Sequence, residues 1–263
     1  MKKTLSLIIT ASLMLLLCVG SFAASGQGYS WYFKPAQGNA QPQIIPEAKS
    51  FIDKYDTIYM GDSGSKKVYL TFDAGYENGN VEKILDVLKE KDAPATFFIL
   101  SYVAEKNTDL VKRMKEEGHL VGNHTKRHND MSKVTDFEAF KSELEEAEAI
   151  MKESTGYELD KLYRPPEGRF SEANLEFADR LGYKTVFWSA AYADWDNNKQ
   201  MDPARALELV LSRVHNGCVL LLHPTSSTNA EILGSLIDKL REQGYEIAPL
   251  TEFEKSESEC TEE

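Results

Sequence analysis

From residue 67 onward the chain alternates short apolar runs with amphipathic segments, and this alternation restricts the fold more than any other feature of the sequence. Runs rich in β-branched and aromatic residues predict strands near 67–72, 95–100, 119–122, 161–163, 184–188, 218–222 and 246–250. The segments between them predict helices near 81–91, 104–117, 135–154, 172–181, 203–215 and 229–243. Apolar strands that alternate with helices indicate an α/β fold with a parallel sheet covered on both faces. The pattern fits a closed barrel and an open, doubly wound sheet equally well.

Both ends of the chain differ from this regular part. Lys2 and Lys3 precede an apolar run over 5–19, and small residues follow it, so 1–23 is predicted to be a secretory signal peptide. The run is shorter than the ~20 residues that cross a bilayer, so no stable membrane anchor is expected after cleavage. Residues 24–65 are predicted to be an N-terminal extension whose aromatic residues pack onto the main domain, with a short helix over 48–55. The main domain then covers 66–253, and 254–263 form an acidic tail.

The charge and the cysteines exclude some classes of protein. With a net charge of −12, the chain has little with which to neutralise phosphates, so no nucleic acid is expected to bind. Of the cysteines that remain after signal cleavage, Cys218 lies in an apolar strand and Cys260 in the acidic tail. A disulfide framework is therefore not expected, and Cys218 is predicted to be a core residue.

Reactive side chains follow several of the predicted strands directly. The first strand runs into Asp73 and then into a loop in which Gly75 and Gly79 let the backbone fold closely over a site. Each such residue has an ordinary structural explanation when taken singly, such as a helix cap, a salt bridge or a solvated loop. Because the carboxyl ends of parallel strands lie on one side of the sheet, the whole set is expected to share a site. The set consists of Asp73, His124, His128, Arg164, Asp194, Trp195 and His223.

Two of these features indicate a particular chemistry. His124 and His128 are spaced i and i+4, so that on one face of a helical turn both imidazoles would reach one metal ion. Neutral imidazoles suit Zn²⁺ best, with Mg²⁺, Mn²⁺ and Co²⁺ as alternatives. The segment 164–169 contains two prolines and a glycine and predicts a rigid turn that aims backbone amides at a ligand. Arg164 at its start is expected to pair with a carboxylate such as Asp73.

Other residues with the same side chains are expected to be structural. His119 lies at the beginning of a strand, on the opposite side from the site. His215 is expected to be a cation at a helix C-terminus. Trp188 lies within a predicted strand and is expected to be in the core.

Five motifs, in chain order, resemble those of the polysaccharide deacetylase family, carbohydrate esterase family 4. The family's first motif, Thr-Phe-Asp-Asp-Gly, is present over 71–75 with Ala74 in place of the second aspartate. The other four match: His-Thr-Lys-Arg-His from His124, Arg-Pro-Pro-Glu-Gly from Arg164, Asp194 followed by tryptophan, and Leu-Leu-His ending at His223. The resemblance covers roughly 66–250 and implies a distorted (β/α) barrel with about seven parallel strands. It also implies metal-assisted hydrolysis of N-acetyl groups on a glycan.

The resemblance gives each site residue an expected role. A divalent ion is expected at His124 and His128, while Asp73 acts as general base and Arg164 keeps it ionised. His223 is expected to be the general acid, supported by Asp194. The backbone N–H of Glu167 is expected to meet the oxyanion, and Trp195 and Tyr76 are expected to contact the substrate.

The alanine in the first motif is expected to weaken metal binding. In most of the family the second aspartate of that motif is the third metal ligand, and the methyl group of Ala74 cannot coordinate an ion. Glu77 and Asn78, in the same loop, are the candidates to replace it.

Two longer strings, 69–79 and 122–131, resemble one branch of the family, the delta-lactam-biosynthetic de-N-acetylases. This implies action on N-acetylmuramic acid of spore-cortex peptidoglycan, with the glycan strand as partner. It also implies a secreted monomer in the extracytoplasmic cell wall or the spore intermembrane space. The cations expected to meet the lactyl carboxylate of muramic acid are Arg164, Lys126, Arg127 and Arg169.

Two alternatives remain open at this point. One is a deacetylase of another polymer, such as wall N-acetylglucosamine, chitin or xylan. The other is a glycan-binding relative without activity, against which the retention of Asp73 and His223 counts, because binding alone needs neither an acid nor a base.

Overall fold

The computed structural model describes residues 26–255. The predicted signal peptide and most of the predicted acidic tail, with Cys260, lie outside the described residues. The strands are β1 (Gly28–Ser30), β2 (Phe33–Lys34), β3 (Gln43–Ile44), β4 (Thr57–Ile58), β5 (Lys67–Ala74), β6 (Thr96–Ile99), β7 (Leu120–Asn123), β8 (Leu162–Tyr163), β9 (Arg169–Ser171), β10 (Lys184–Val186), β11 (Cys218–Leu222) and β12 (Glu246–Ile247). The helices are α1 (Val81–Glu90), α2 (Ser101–Lys106), α3 (Thr108–Glu116), α4 (Phe137–Thr155), α5 (Glu172–Arg180), α6 (Pro203–Arg213) and α7 (Ser227–Glu242). Over 26–255, none of these helices combines the length and the apolar character needed to cross a bilayer.

Eight of the strands form one parallel sheet that closes on itself. The order is β11–β5–β6–β7–β8–β10–β4, and β12 pairs with the beginning of β5. Met60, just after β4, forms a bridge with Cys218, and Ala190, just after β10, forms one with Leu220. These bridges bring the far edge of the sheet back to β11. The sheet is therefore a distorted barrel, as the resemblance implied, and the open sheet that the periodicity also allowed is excluded.

The strands alternate between an outer and an inner core. On β5, Val68, Leu70, Phe72 and Ala74 belong to the apolar cluster that the helices cover. An inner cluster takes one residue from each of β4, β5, β6, β8, β10 and β11, and Tyr69 is the contribution of β5. Successive side chains of a strand point to opposite faces, so Thr71 and Asp73 share the inner side with Tyr69. The carboxyl end of β5 thus places polar groups inside the barrel.

The predicted elements differ from the structure in several places. The predicted helix over 104–117 is two helices, α2 and α3, because Asn107 between them has non-helical angles (φ −125°, ψ 42°). The predicted helix over 48–55 is instead two separate 3₁₀ turns, Pro46–Ala48 and Ile52–Lys54. The strand β4 was not predicted, although it joins the barrel beside β10. Its two residues are too few to show a period, and they lie inside the predicted extension.

The N-terminal extension packs onto the barrel through its aromatic residues, as expected. Strand β1 pairs antiparallel with β9, so that Ser30 lies opposite Arg169. The indole of Trp31 stacks on Phe187 at 4.3 Å, and its Nε1–H donates to the carbonyl oxygen of Trp188 at 2.8 Å. The extension is therefore attached next to the carboxyl ends of the barrel strands.

Candidate active site

A cavity of about 910 Å³ opens at the carboxyl end of the barrel strands. The predicted site residues that line it are Asp73, Tyr76, His124, His128, Glu167, Trp195 and His223. Two more predicted residues, Arg164 and Asp194, are buried behind the wall and contact Asp73 and His223. The structure thus brings these nine residues together at one cavity.

Asp73 and Arg164 form an ion pair inside the barrel. Nη1 of Arg164 donates to Asp73 Oδ1 at 2.8 Å, and Nη2 donates to the Thr71 hydroxyl at 2.9 Å. Nε of Arg164 donates to the carbonyl oxygen of Val186 at 3.1 Å, and the guanidinium lies over the ring of Phe98 at 4.2 Å. Burial alone would raise the pKa of Asp73, but the charge of Arg164 outweighs it and the pKa is lowered. Asp73 is therefore held as a carboxylate, which a general base requires.

His124 is a neutral imidazole with a fixed tautomer. Its Nδ1 lies 2.8 Å from the carbonyl oxygen of Arg164, which can only accept, so Nδ1 carries the proton. Nε2 is then free of a proton and lies 3.8 Å from Asp73 Oδ2. Burial lowers the pKa of His124 to about 4. An imidazole fixed in this way by a backbone carbonyl is the usual form of a metal-ligating histidine.

The two histidines meet in a loop, and the expectation of a helical turn is wrong. Thr125 and His128 have positive φ angles of 75° and 59°, which no helix contains. Asn123 Oδ1 accepts the Thr125 N–H at 2.9 Å, and the Thr125 hydroxyl accepts the His128 N–H at 3.0 Å. The two rings lie 5.2 Å apart between centroids. Side-chain hydrogen bonds to the backbone, rather than helical periodicity, bring the imidazoles together.

These imidazoles fit two positions of a metal site, but the third side chain is missing. Ala74 is fully buried in the outer core. Glu77 and Asn78 were the candidates to replace it. One carboxylate oxygen of Glu77 accepts from the Gly79 N–H, and its other oxygen has no hydrogen-bond partner among the described residues. The Asn78 amide donates to the carbonyl oxygen of Thr225. Among the residues that the structure describes, no group of three or more His, Cys, Asp or Glu is placed to hold a metal ion. Catalytic zinc usually has three protein ligands, so an ion here would be held by two.

On the other side of the cavity, Asp194 fixes His223. Asp194 Oδ1 lies 2.8 Å from His223 Nδ1, and Oδ2 accepts the backbone N–H of the same histidine at 2.8 Å. The buried Asn229 donates to Asp194 Oδ2 at 2.6 Å and to the carbonyl oxygen of His223 at 3.0 Å. Burial lowers the pKa of His223, but the hydrogen bond and charge of Asp194 outweigh it, so the pKa lies above the ordinary 6.5. The imidazolium form, which can give up a proton, is therefore favoured.

Asp194→Asn is expected to move the alkaline limb of the pH profile of kcat to lower pH. His223 works as an acid only while it is protonated, so activity falls as the pH rises through its pKa. Without the carboxylate, burial dominates and lowers that pKa. Steady-state rates measured from pH 5 to 9 test this. An unchanged alkaline limb in a folded variant would contradict the assignment of His223 as the acid.

The turn after Arg164 is held by the N-terminal extension. Glu167 has a positive φ of 55°, a costly conformation for a residue other than glycine, within the 3₁₀ turn Pro166–Gly168. The Trp31 N–H donates to the carbonyl oxygen of Gly168 at 2.8 Å. A Cβ at Gly168 would lie 2.9 Å from Trp31 Cβ and 2.8 Å from the Trp188 ring, so only glycine fits. Strained backbone fixed at a cavity wall is typical of a functional turn.

Two exposed aromatic residues stand at the rim of the cavity. Trp195 is 62% exposed, and its ring centroid lies 6.3 Å from that of His223. Tyr76 is 44% exposed, and its hydroxyl accepts a hydrogen bond from Asn197. Both are placed to contact a ligand that enters the cavity.

The structure corrects two expectations about structural residues and agrees with a third. Trp188 lies beyond β10, is only half-buried and lines the cavity. His215 is fully buried two residues beyond α6, and burial lowers its pKa, so it is not a cation. His119 is buried away from the cavity, and burial lowers its pKa to about 4.

Sequence reasoning missed Asn229 and the contribution of the N-terminal extension. Asn229 lies in the first turn of α7, where its polar side chain looks like an ordinary helix start. From the extension, Trp31, Tyr32, Phe33 and Pro35 line the cavity. Their aromatic character was the available signal, but it indicated packing and not a place in the site.

A carboxylate paired with Arg164 and an imidazole paired with Asp194 face one cavity at the mouth of a barrel, an arrangement that suits general acid–base catalysis. The fold and the site together define a hydrolase. The chain belongs to the polysaccharide deacetylase family, carbohydrate esterase family 4, whose sequence pattern matches residues 60–186. As a member of that family it is a hydrolytic deacetylase.

Similarity to known proteins extends well beyond that match. The peptidoglycan-N-acetylmuramic acid deacetylase PdaA of Bacillus subtilis is 38% identical over 235 residues, which cover 89% of each chain. The solved structure of Bacillus subtilis PdaA, a family 4 carbohydrate esterase, superposes with a TM-score of 0.83 at 37% identity and covers 87% of this chain and 97% of that one. A family 4 carbohydrate esterase from Bacillus anthracis gives a TM-score of 0.72 at 39% identity, covering 88% and 98%.

Proposed function

We propose that the protein is a secreted, metal-dependent de-N-acetylase that removes the acetyl group from N-acetylmuramic acid in peptidoglycan, as in the formation of the muramic delta-lactam of spore cortex. The observation that carries the reaction is that Asp73, paired with Arg164, and His223, paired with Asp194, face one cavity. The similarity to a muramic acid deacetylase over 89% of both chains supports the choice of sugar.

The residues divide the hydrolysis between a base and an acid. Asp73 removes a proton from the attacking water as its oxygen bonds to the acetyl carbon, and Arg164 keeps Asp73 ionised. The backbone N–H of Glu167 stabilises the negative oxygen that develops on that carbon. His223 gives its proton to the nitrogen as the C–N bond breaks, so the products are acetate and a free amine. Asp194 stabilises the imidazolium until that step.

A metal ion would add to this chemistry at the two imidazoles. His124 and His128 would hold a divalent ion, with Zn²⁺ the first candidate and Mg²⁺, Mn²⁺ or Co²⁺ the alternatives. Such an ion would polarise the acetyl carbonyl and lower the pKa of bound water. The fixed tautomer of His124 supports this role, and the absence of a third side-chain ligand at Ala74 indicates weak retention.

The cavity suits a glycan. Its volume of about 910 Å³ lies at the upper end of the range for small-molecule sites. Trp195 and Tyr76 offer aromatic faces on which a sugar ring can stack, and Tyr32 and Phe33 form part of the wall. We further propose that the protein acts on peptidoglycan outside the cytoplasm, in the cell wall or the spore intermembrane space, and that it is a monomer. The signal peptide at 1–23 and the division into 24–65, 66–253 and 254–263 remain predictions.

Purified protein incubated with defined muropeptides and metal ions tests the proposal. Mass spectrometry of the products should show the loss of one acetyl group, 42 Da by elementary composition, from muramic acid residues. Loss from N-acetylglucosamine would instead support the alternative wall substrate, and no loss from any glycan would support a silent relative.

Removal of divalent ions is expected to abolish hydrolysis, and added Zn²⁺ is expected to restore it. His128→Gln removes one of the two imidazoles at an exposed position, so folding should be retained while the Zn²⁺ concentration for half-maximal activity rises at least about tenfold. Titration of dialysed enzyme with Zn²⁺, followed by activity and by calorimetry, measures both effects. Full activity in the presence of a strong chelator would contradict metal dependence.

A further inference from the structure

The four cations expected to meet the negative charge of the substrate are all engaged by acids of the protein. Arg164 is buried against Asp73 and cannot reach a ligand. The other three are on the surface, in the pairs Lys126 with Glu146, Arg127 with Glu143 and Glu146, and Arg169 with Asp130 and Glu167. None of the four lines the cavity. That expectation therefore finds no support in the structure.

A different cation does line the cavity. Arg213, the last residue of α6, is the one lysine or arginine among the described residues that form its wall. Its Nη1 donates to the carbonyl oxygen of Ala191, and over 26–255 no aspartate or glutamate forms an ion pair with it. A guanidinium has five N–H donors in a planar fork, so most of its hydrogen-bonding capacity is left over.

The surroundings of Arg213 make this arrangement costly for the protein alone. The side chain is half-buried and contacts the carbonyl oxygen of Ala191, and the same cavity is also lined by the apolar side chains of Ala193 and Leu221. Burial lowers the pKa of Arg213, and no acid of the part that the structure describes offsets it. The carboxylate of Asp194, three residues after Ala191, is already bound by His223 and Asn229 through both oxygens. A partly buried charge without a counter-charge is normally avoided unless a ligand supplies one.

We propose that Arg213 binds the lactyl carboxylate of muramic acid and thereby selects muramic acid with a free carboxylate. The inference deepens the proposed function and rests on it. A guanidinium fork matches a carboxylate through two parallel hydrogen bonds. N-acetylglucosamine has no lactyl group, and muramic acid that carries a peptide has an amide at that position. The enzyme therefore prefers glycan from which the peptide stem has been removed.

The experiment compares two glycan fragments that differ in one group. One contains N-acetylmuramic acid with its free lactyl carboxylate, and the other carries the carboxamide. For the wild type, kcat/KM on the free acid should exceed that on the amide by about 10- to 100-fold, as expected for a charge-assisted hydrogen bond. Arg213→Gln should bring this ratio close to 1, mainly through KM, and Arg213→Lys should retain part of it. Arg205→Gln, the same change at an exposed position of α6 outside the cavity, should leave the ratio as in the wild type.

The outcomes separate this inference from the proposed function. A folded Arg213→Gln variant with the wild-type ratio of kcat/KM between the two fragments overturns the inference. A ratio near 1 in the wild type itself also overturns it. If the wild type deacetylates neither fragment, the proposed function fails. Calorimetry of the free-acid fragment with Asp73→Asn, alone and combined with Arg213→Gln, then decides the role of Arg213. Equal affinities in that comparison overturn the inference, and an affinity loss of at least about tenfold supports it.

Discussion

Asp73→Asn should lower kcat by about 10²–10⁴-fold, the contribution typical of a general base. The amide keeps the shape of the side chain and can still accept a hydrogen bond from Arg164, but it cannot take a proton from water. Rates on a muropeptide substrate, measured at a temperature where the variant is folded, test this. Asp238→Asn on α7, which pairs with Lys91 at the surface, is the matched control and should retain wild-type activity. Turnover near the wild-type value in Asp73→Asn would remove the base from the mechanism.

The same substitution should also destabilise the barrel. Arg164 is fully buried, and without Asp73 its charge has no carboxylate partner, which typically costs about 3–5 kcal/mol. Because the pKa of Asp73 is lowered in the folded state, the pair stabilises the protein at neutral pH. That stabilisation is lost as the pH falls through and below the ordinary carboxyl pKa of 3.8. Denaturant unfolding at neutral and acid pH measures this. At neutral pH the free energy of unfolding should be lower in the variant than in the wild type, and in the variant it should depend less on pH.

His223→Ala should lower kcat by about 10²–10⁴-fold as well, because the amine would have to leave without a proton donor. The effect on folding should be smaller than for Asp73→Asn, since Asp194 keeps its hydrogen bond from Asn229 and His223 is about a quarter exposed (26%). Steady-state kinetics and thermal unfolding of the purified variant measure the two effects.

Imidazole added in solution provides the control for His223→Ala. The variant leaves space at the cavity wall next to Asp194, so free imidazole should restore part of kcat, and more at a pH where it is protonated. Wild-type turnover without imidazole would show that another group protonates the amine. No such rescue is expected for Asp73→Asn, because the amide fills the place of the carboxylate and leaves no space for imidazole.

The sequence predicts the individual strands and helices well where these elements are long. Strand β5 is a continuous apolar run and helix α4 is a long amphipathic segment, and the predicted ranges overlap the observed ones. Strand β4 has two residues, and closure depends on the bridge from Met60 to Cys218 across distant parts of the chain. Short elements and long-range closure leave no periodic signal, so only the resemblance indicated a barrel.

The site was predictable where one rule, the shared edge of parallel strands, applied. That rule groups Asp73 with His223, and the expected pairs of Arg164 with Asp73 and of Asp194 with His223 are present in the structure. The i, i+4 spacing of the histidines predicted the wrong shape for their loop. The Asn123 side chain accepts the Thr125 N–H, and Thr125 has a positive φ that no helix contains. Nothing in the sequence indicated Arg213. Its importance comes from its place in the cavity wall without an acidic partner among the described residues, and tertiary packing alone determines that.

The pairing of β1 with β9 has a practical consequence for anyone who handles this protein. The first described residues, beginning at Gly26, lead within a few positions to Trp31, which holds the turn at Gly168. An affinity tag or a fluorescent fusion joined directly there would crowd the reactive end of the barrel. The opposite terminus is the safer point of attachment, because Phe253 packs on Tyr69 near the amino end of β5 and the chain leaves from there. Loss of the residues that precede Trp31 should lower turnover before it lowers the melting temperature.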